Sequence, residues 1–446
     1  MSELVQENTR IIPDQQTSLT KEQKEAVGLL SIGTFLEYFD LMLYIHMAVL
    51  LNSLFFPKDD PNSASLFIAI AYSITFVFRP FGALLFGWIG DNIGRKITII
   101  ITTFMMATSC FIMATLPTYE QIGITASWII SICRAIQGIS SLGERVGAEL
   151  YLMEITKPPM QYPVVTIITV CASLGSMFAL GLGFLITNYG FNWRYLFYFG
   201  MIIAIIGTVA RTKLRETPEF ANAKLRLRTF FDTHYIDKKI LKGDIILEEK
   251  VQKKTVLFYF LIQCAGPVPT YFVYFYCGNI LRNSFVYSVG DILYHNFLIS
   301  IIQLLTTLVL LYLSYIIYPL KILKVRWMIF FAFIIFCPYF LDKVSTPIHL
   351  FIIQVLIILF APDSSPASAI FYKYFPIFKR FTYSSFVYAL AHAIISIVTS
   401  FGFIYCTKYM GQLGILCIML PIVMSYGFGI FYFAKLEKVT SNYESY

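Results

Sequence analysis

The sequence predicts an all-α polytopic membrane protein with twelve transmembrane helices in two six-helix bundles. Three observations predict it. Of the 446 residues, 57% are hydrophobic and only 13% are charged, whereas a soluble domain carries about 25% charged residues. The apolar residues gather into twelve runs, each near the ~20 residues that a helix needs to cross a bilayer. The longest polar interruption, 212–254, is rich in Lys and Arg and divides the runs six and six. The expected order is a cytoplasmic tail 1–26, an N-terminal bundle 27–211, a cytoplasmic linker 212–254, a C-terminal bundle 255–434 and a cytoplasmic tail 435–446.

Orientation follows from the cations. With the N-terminus inside, 27 of the 34 Lys and Arg fall on the cytoplasmic face. Five (Lys58, Arg194, Arg282, Lys343 and Lys408) fall outside, and Arg79 and Arg134 lie within spans. The positive-inside rule therefore places both termini in the cytoplasm. This asymmetry also accounts for the net charge of +8, so no nucleic-acid partner is expected. The first 26 residues lack an apolar core, so no cleaved signal peptide is expected. The eight Cys stand singly with no metal-ligand spacing, as packing residues do. No metal and no cofactor are expected, and no nucleophile–base set or phosphate loop points to an enzyme.

The spans read 27–51, 64–88, 97–116, 121–143, 163–187, 193–211, 255–277, 290–317, 326–341, 347–371, 380–406 and 412–434. The first carries Gly33, Glu37, Asp40 and Tyr44 at i, i+4, i+7 and i+11, on one helix face. Two carboxylates inside a membrane helix are functional by default and are candidate proton carriers. The second span holds Arg79 and closes on Gly87, Gly90, Asp91, Gly94, Arg95 and Lys96, a tight turn ending in two cations. The fourth holds Arg134. Counted from the span ends, Glu37, Arg79 and Arg134 lie at similar depth near the midplane. Such charges are tenable only together, facing an internal, water-accessible cavity. Glu144 and Arg145 fall near the inner end of the fourth span, within reach of the 90–96 turn. The fifth span is rich in Gly and Ser, which permits close helix crossing.

The second half carries less. Prolines and tyrosines in GPVPTYFVYFY (266–276) suggest a broken, cavity-lining helix, with a Pro-kinked packing helix as the alternative. The stretch SYIIYPLKILKVRW (314–327) lacks the Gly and Asp of the 87–96 turn. Asp363, between Pro362 and Ser364, is the acid placed deep in this half, either on a cavity or in a locally satisfied break.

The turn G-x-x-x-D-x-x-G-R-K at 87–96 resembles the signature loop between helices 2 and 3 of the major facilitator superfamily. Arg79-Pro80-Phe81-Gly82, the GTFLEYFDLMLY segment (33–44), LRETPEF (214–220) and FYKYFPIFKRFTYSS (371–385) are similar to its metabolite:proton symporter branch. Arg134, Gln137 and Gly138 resemble the R-x-x-Q-G of the fourth helix. The resemblance is strong over 31–220 and thin but collinear over 255–434.

It implies alternating access: secondary, proton-coupled symport of a small zwitterion or carboxylate of the proline or betaine kind across a bacterial inner membrane. A dicarboxylate or citrate symporter is the near alternative, and a non-transporting membrane sensor is the alternative that the missing second motif suggests. Partners are then the bilayer and a small-molecule solute, the coupling ion is a proton, and a monomer is expected. Glu37 and Asp40 are the proton-coupling candidates. Arg79, Arg134, Tyr44 and Asp363 are the substrate candidates. Gly87, Gly90, Asp91, Gly94, Arg95, Lys96, Glu144 and Arg145 form the expected cytoplasmic gate.

Overall fold

The computed structural model describes residues 16–47, 51, 54–56, 76–212 and 251–439. The outer half of the second span, most of the linker and the side chain of Glu144 lie outside the described parts. Among the described residues, twelve long helical segments follow one another: α1 Lys21–His46, α2 Arg79–Asn92, α3 Arg95–Thr115, α4 Ile124–Ile155, α5 Gln161–Tyr189 and α6 Arg194–Arg211. In the second half come α7 Lys253–Phe285, α8 Val289–Ile316, α9 Pro319–Asp342, α10 Pro347–Tyr372, α11 Ile377–Met410 and α12 Gly414–Val439. Seven stretches of the described residues are long and apolar enough to cross a membrane, and one of them, Ile377–Val439, carries two of these helices.

Local chemistry moves several helix ends away from the hydropathy boundaries. α1 starts six residues early because Thr20 and Gln23 form a reciprocal capping box, with bonds of 2.9 and 3.2 Å. Ser288 and Asp291 do the same for α8. α4 runs to Ile155, twelve residues past its expected end. Its charges there are tolerated because Arg145 and Glu149 pair one turn apart at 3.2 Å. α9 begins at Pro319, which suits a first helical turn, so Arg326 is two turns inside the helix rather than in a loop.

α2 shows how the sequence sorts lipid from protein. Phe81, Leu84, Leu85 and Trp88 form one exposed stripe, and Arg79, Ala83, Phe86, Gly87, Gly90 and Asp91 lie buried on the other side. An apolar stripe of that kind suits hydrocarbon and would be a liability in water. α5 is a seam: it packs on α1 within its own bundle and on α8 of the other. α2 and α11 make the second seam.

Two helices of the C-terminal half are broken. α7 passes through a π-helical turn, Phe272–Tyr276. That turn shifts the hydrogen-bond ladder, and side chains take up two of its carbonyls: Gln354 donates to Val273 at 2.7 Å and Asn296 to Tyr274 at 3.2 Å. The reading of 266–276 as a broken, cavity-lining helix therefore holds. α10 is interrupted between Phe360 and Ser365, where Asp363 caps the restart by accepting the Ser365 N–H and hydroxyl, both at 2.9 Å.

Candidate functional site

Among the described residues, three polar assemblies bear on function. The first lies inside the N-terminal bundle. Glu37 and Asp40 sit one turn apart on α1 and reach different helices. Arg79 of α2 is 3.5 Å from Glu37, and Arg134 of α4 is 3.4 Å from Asp40. Gln137 holds Arg134 at 2.8 Å, and the guanidinium lies over the Tyr44 ring at 4.1 Å. The Cys110 thiol donates to Asp40 at 3.5 Å. Glu37, Asp40 and Arg79 are each 2% exposed. The cluster foreseen from depth counting therefore forms, as two ion pairs.

Its setting differs from the expectation. The four charges border a void of about 10 Å³, roughly the room for one water, rather than a solvent-filled cavity. Arg79, Arg134 and Tyr44, expected to hold solute, are turned into this bundle and are absent from the wall of the large cavity. The physical reason is pairing: a guanidinium buried beside a carboxylate is best satisfied there, and separating the two is costly.

The second assembly is that large cavity, about 180 Å³, between the bundles. α1, α4 and α5 wall one side and α7 to α12 the other. Hydroxyls and amides dominate its polar lining, among them Ser173, Thr169, Gln263 and Gln303. Among the described residues, three charged ones reach it: Arg145 from the N-terminal half, and Arg326 and Asp363 from the C-terminal half. Asp363 is thus both of the alternatives posed for it, a cavity residue and the cap of a helix break. Arg145 is a correction. It was expected at the gate, but α4 continues ten residues beyond it. Its guanidinium instead donates to the Tyr38 hydroxyl, pairs with Glu149 and lies against the Tyr388 ring at 5.7 Å. Arg326 was missed because, beside Lys321 and Lys324, it reads as one more cation of an inner loop. His392 was missed too; it stacks on Tyr388 with ring centroids 4.0 Å apart.

The third assembly closes one end of the cavity, on the face that carries the 90–96 turn. Asp91 accepts from Arg95 at 2.6 Å, and across the seam from the Thr382 N–H and hydroxyl at 2.7 and 2.6 Å and the Phe381 N–H at 3.2 Å. Arg95 completes an exchange. It donates to the carbonyl of Ile377 at 3.1 Å, four residues before Phe381 and its ordinary helical acceptor. Glu154, at the end of α4, binds Arg95 at 3.3 Å and Arg380 of α11 at 3.5 Å. Gly87 and Gly90 permit the close approach: a Cβ at Gly87 would meet the Thr382 backbone, and one at Gly90 the Phe381 ring. Gly94, at φ 156° and ψ 153°, holds a conformation that side chains rarely adopt. Glu154 and Arg380 were not singled out from sequence. Lys96 makes no contact in this network among the described interactions.

The family model described as "Sugar (and other) transporter" matches residues 27–445. An inner membrane metabolite transport protein, YhjE, of Escherichia coli K12 is 34% identical over 223 residues, 48% of this chain and 50% of that protein. The proline/betaine transporter of the same organism is 31% identical over 204 residues, 44% of this chain and 41% of its own length. The alignments thus span half or less of these curated relatives. Among solved structures, the proton:xylose symporter XylE superposes with a TM-score of 0.73 at 14% identity, covering 93% of this chain and 95% of that one. The human organic anion transporter MFSD10 gives 0.68 at 15% identity, covering 93% and 100%. At such identities the structures speak for the fold alone, and that fold is the all-α membrane fold expected. With the family model spanning nearly every residue, this chain belongs to the sugar (and other) transporter family of the major facilitator superfamily, a family of transporters and not of enzymes.

Proposed function

We propose that the protein is a secondary active transporter that carries a small zwitterionic solute, of the proline or betaine kind, into a bacterial cell together with a proton. The observation that carries this reading is the polar cavity between the bundles, closed at one end by a network that must break for that end to open. The cation asymmetry puts the closed end at the cytoplasm. Arg145 and Arg326 leave that count because they belong to the cavity, yet the bias survives by a wide margin. In this arrangement the solute enters from outside, and rocking of the bundles at the α2–α11 and α5–α8 seams releases it inward. Glu37 and Asp40 are the proton carriers of the proposal. Protonating either one weakens its hold on Arg79 or Arg134, and so loosens α1 from α2 or α4. The names of the relatives support a metabolite of this size.

A second reading, a dicarboxylate or citrate symporter, is favoured by one observation: two arginines and a single acid reach the cavity. The test is uptake of labelled proline and glycine betaine into energised vesicles, beside 2-oxoglutarate and citrate, with and without a protonophore. Uptake of a zwitterion that collapses with protonophore and in Asp40→Asn is the expected result. Uptake indifferent to protonophore removes the coupling. Correct insertion with none of the four moved leaves the non-transporting sensor.

A further inference from the structure

We propose that Arg326 of α9 and Asp363 of the α10 break together bind the charged head of the solute, its carboxylate on Arg326 and its cationic nitrogen facing Asp363. The assignment rests on the transport reading above and adds to it the place where the two charges sit.

Arg326 is incompletely satisfied. A guanidinium offers five donors in a planar fork. Here Nε donates to the Leu359 carbonyl at 3.3 Å, and the buried Nη1 has no hydrogen-bond partner. The side chain is only 11% exposed, so water does not freely make up the deficit. Arg145 is the contrast: it donates to Glu149 and to the Tyr38 hydroxyl, and none of its nitrogens is both buried and without a partner. Nη1 itself has no exposed surface, but the Arg326 side chain lines the cavity wall, and a small shift of that side chain offers its unfilled fork to a carboxylate.

Asp363 does not supply that carboxylate. Its Oδ2 stands 3.9 Å from Arg326 Nη1, too long for a hydrogen bond. The gap is built in. Each Asp363 oxygen already accepts from Ser365, and the Asp363 carbonyl accepts from the Tyr426 hydroxyl at 2.9 Å. The acid is therefore fixed to the helix break beside the arginine rather than on it, and its side chain is 26% exposed. Opposite charges held slightly apart on one wall complement a molecule whose own opposite charges are two bonds apart, as in an α-amino acid or a betaine. A dicarboxylate would bring a second negative charge toward Asp363. A neutral polyol would offer the guanidinium hydroxyl oxygens but no opposite charge, and so only the weaker, neutral hydrogen bonds. The pair thus selects a zwitterion from the solutes that the cavity could hold.

The experiment uses the full-length protein, binding measured in detergent and counterflow in proteoliposomes. Probes are proline, glycine betaine, pyrrolidine (no carboxylate), proline methyl ester, 2-oxoglutarate and xylose. Proline or betaine should bind and the other four should not. Arg326→Gln should weaken zwitterion binding by roughly 10- to 100-fold, the loss of charge-assisted hydrogen bonds. Arg326→Lys, which keeps the charge, is the second variant should the first fail to fold. Asp363→Asn should weaken the zwitterion and strengthen 2-oxoglutarate, a change in selectivity that a merely structural residue would not cause. Preferential wild-type binding of 2-oxoglutarate or xylose overturns the head-group assignment and the zwitterionic solute with it, and leaves proton-coupled transport itself standing. Unchanged selectivity in Asp363→Asn also overturns it. Binding of proline or betaine without counterflow keeps the site and removes the transport, and absence of both binding and counterflow removes both.

Discussion

The two halves close the same face of the molecule by different chemistry. In the N-terminal half the closure is ionic: Asp91, Arg95 and Glu154 are all but inaccessible, and they reach α11 through backbone groups and Arg380. At the corresponding place in the C-terminal half stands one buried acid, Glu437, satisfied by the Tyr318 and Tyr374 hydroxyls and by Lys373. Those partners all belong to its own bundle. Contacts that cross to the other bundle there include an edge contact of the Tyr162 and Tyr318 rings at 6.0 Å and the Tyr372 hydroxyl on Glu149 at 2.6 Å. In the proposed transport cycle, one latch thus depends on charges that must find their partners again at each closure. The other depends on rings and hydroxyls, which tolerate displacement. The missing second glycine–aspartate turn is replaced, not simply lost.

The largest expected effect is from Arg95→Ala. It leaves Asp91 and Glu154 buried without their shared cation, and removal of one member of a buried pair costs about 3–5 kcal/mol. Thermal unfolding in detergent should fall accordingly, and a thiol introduced on the cavity side should become reactive from the α2–α3 turn. Gly90→Ala should cost about 1–3 kcal/mol, since the added methyl meets the Phe381 ring and the crossing must open. Tyr374→Phe should cost only about 1 kcal/mol, because Glu437 keeps Tyr318 and Lys373. If unfolding measurements put Tyr374→Phe level with Arg95→Ala, the contrast between the two latches is wrong.

The fold was legible because burying apolar runs in a bilayer needs only length and hydropathy, and the 87–96 turn was legible because glycines and charges at close crossings cannot be traded away. The cavity was not. Hydropathy places Arg145 and Arg326 on the inner face because charges flanking an apolar run mark its ends: Glu144 and Arg145 follow the fourth run, and Arg326 opens the ninth. Both helices instead continue past or begin before those charges, α4 through an i,i+4 ion pair and α9 from Pro319. Glu154 and Arg380 stand 226 residues apart, and only the packing of α4 against α11 shows that they serve one guanidinium network. The signal for Arg326 was present in one form: it is the last cation of 314–327, followed by an unbroken apolar run.

The buried quartet of Glu37, Asp40, Arg79 and Arg134 holds two negative and two positive groups, so at rest it is electrically silent. One added proton would leave it with a single positive charge in a medium that cannot screen it. Any step that moves that charge across the bilayer is then electrical work, up to about 2.3 kcal/mol per 100 mV. A cell interior held negative would pull the protonated form inward even with equal pH on both sides, so voltage alone could turn the carrier.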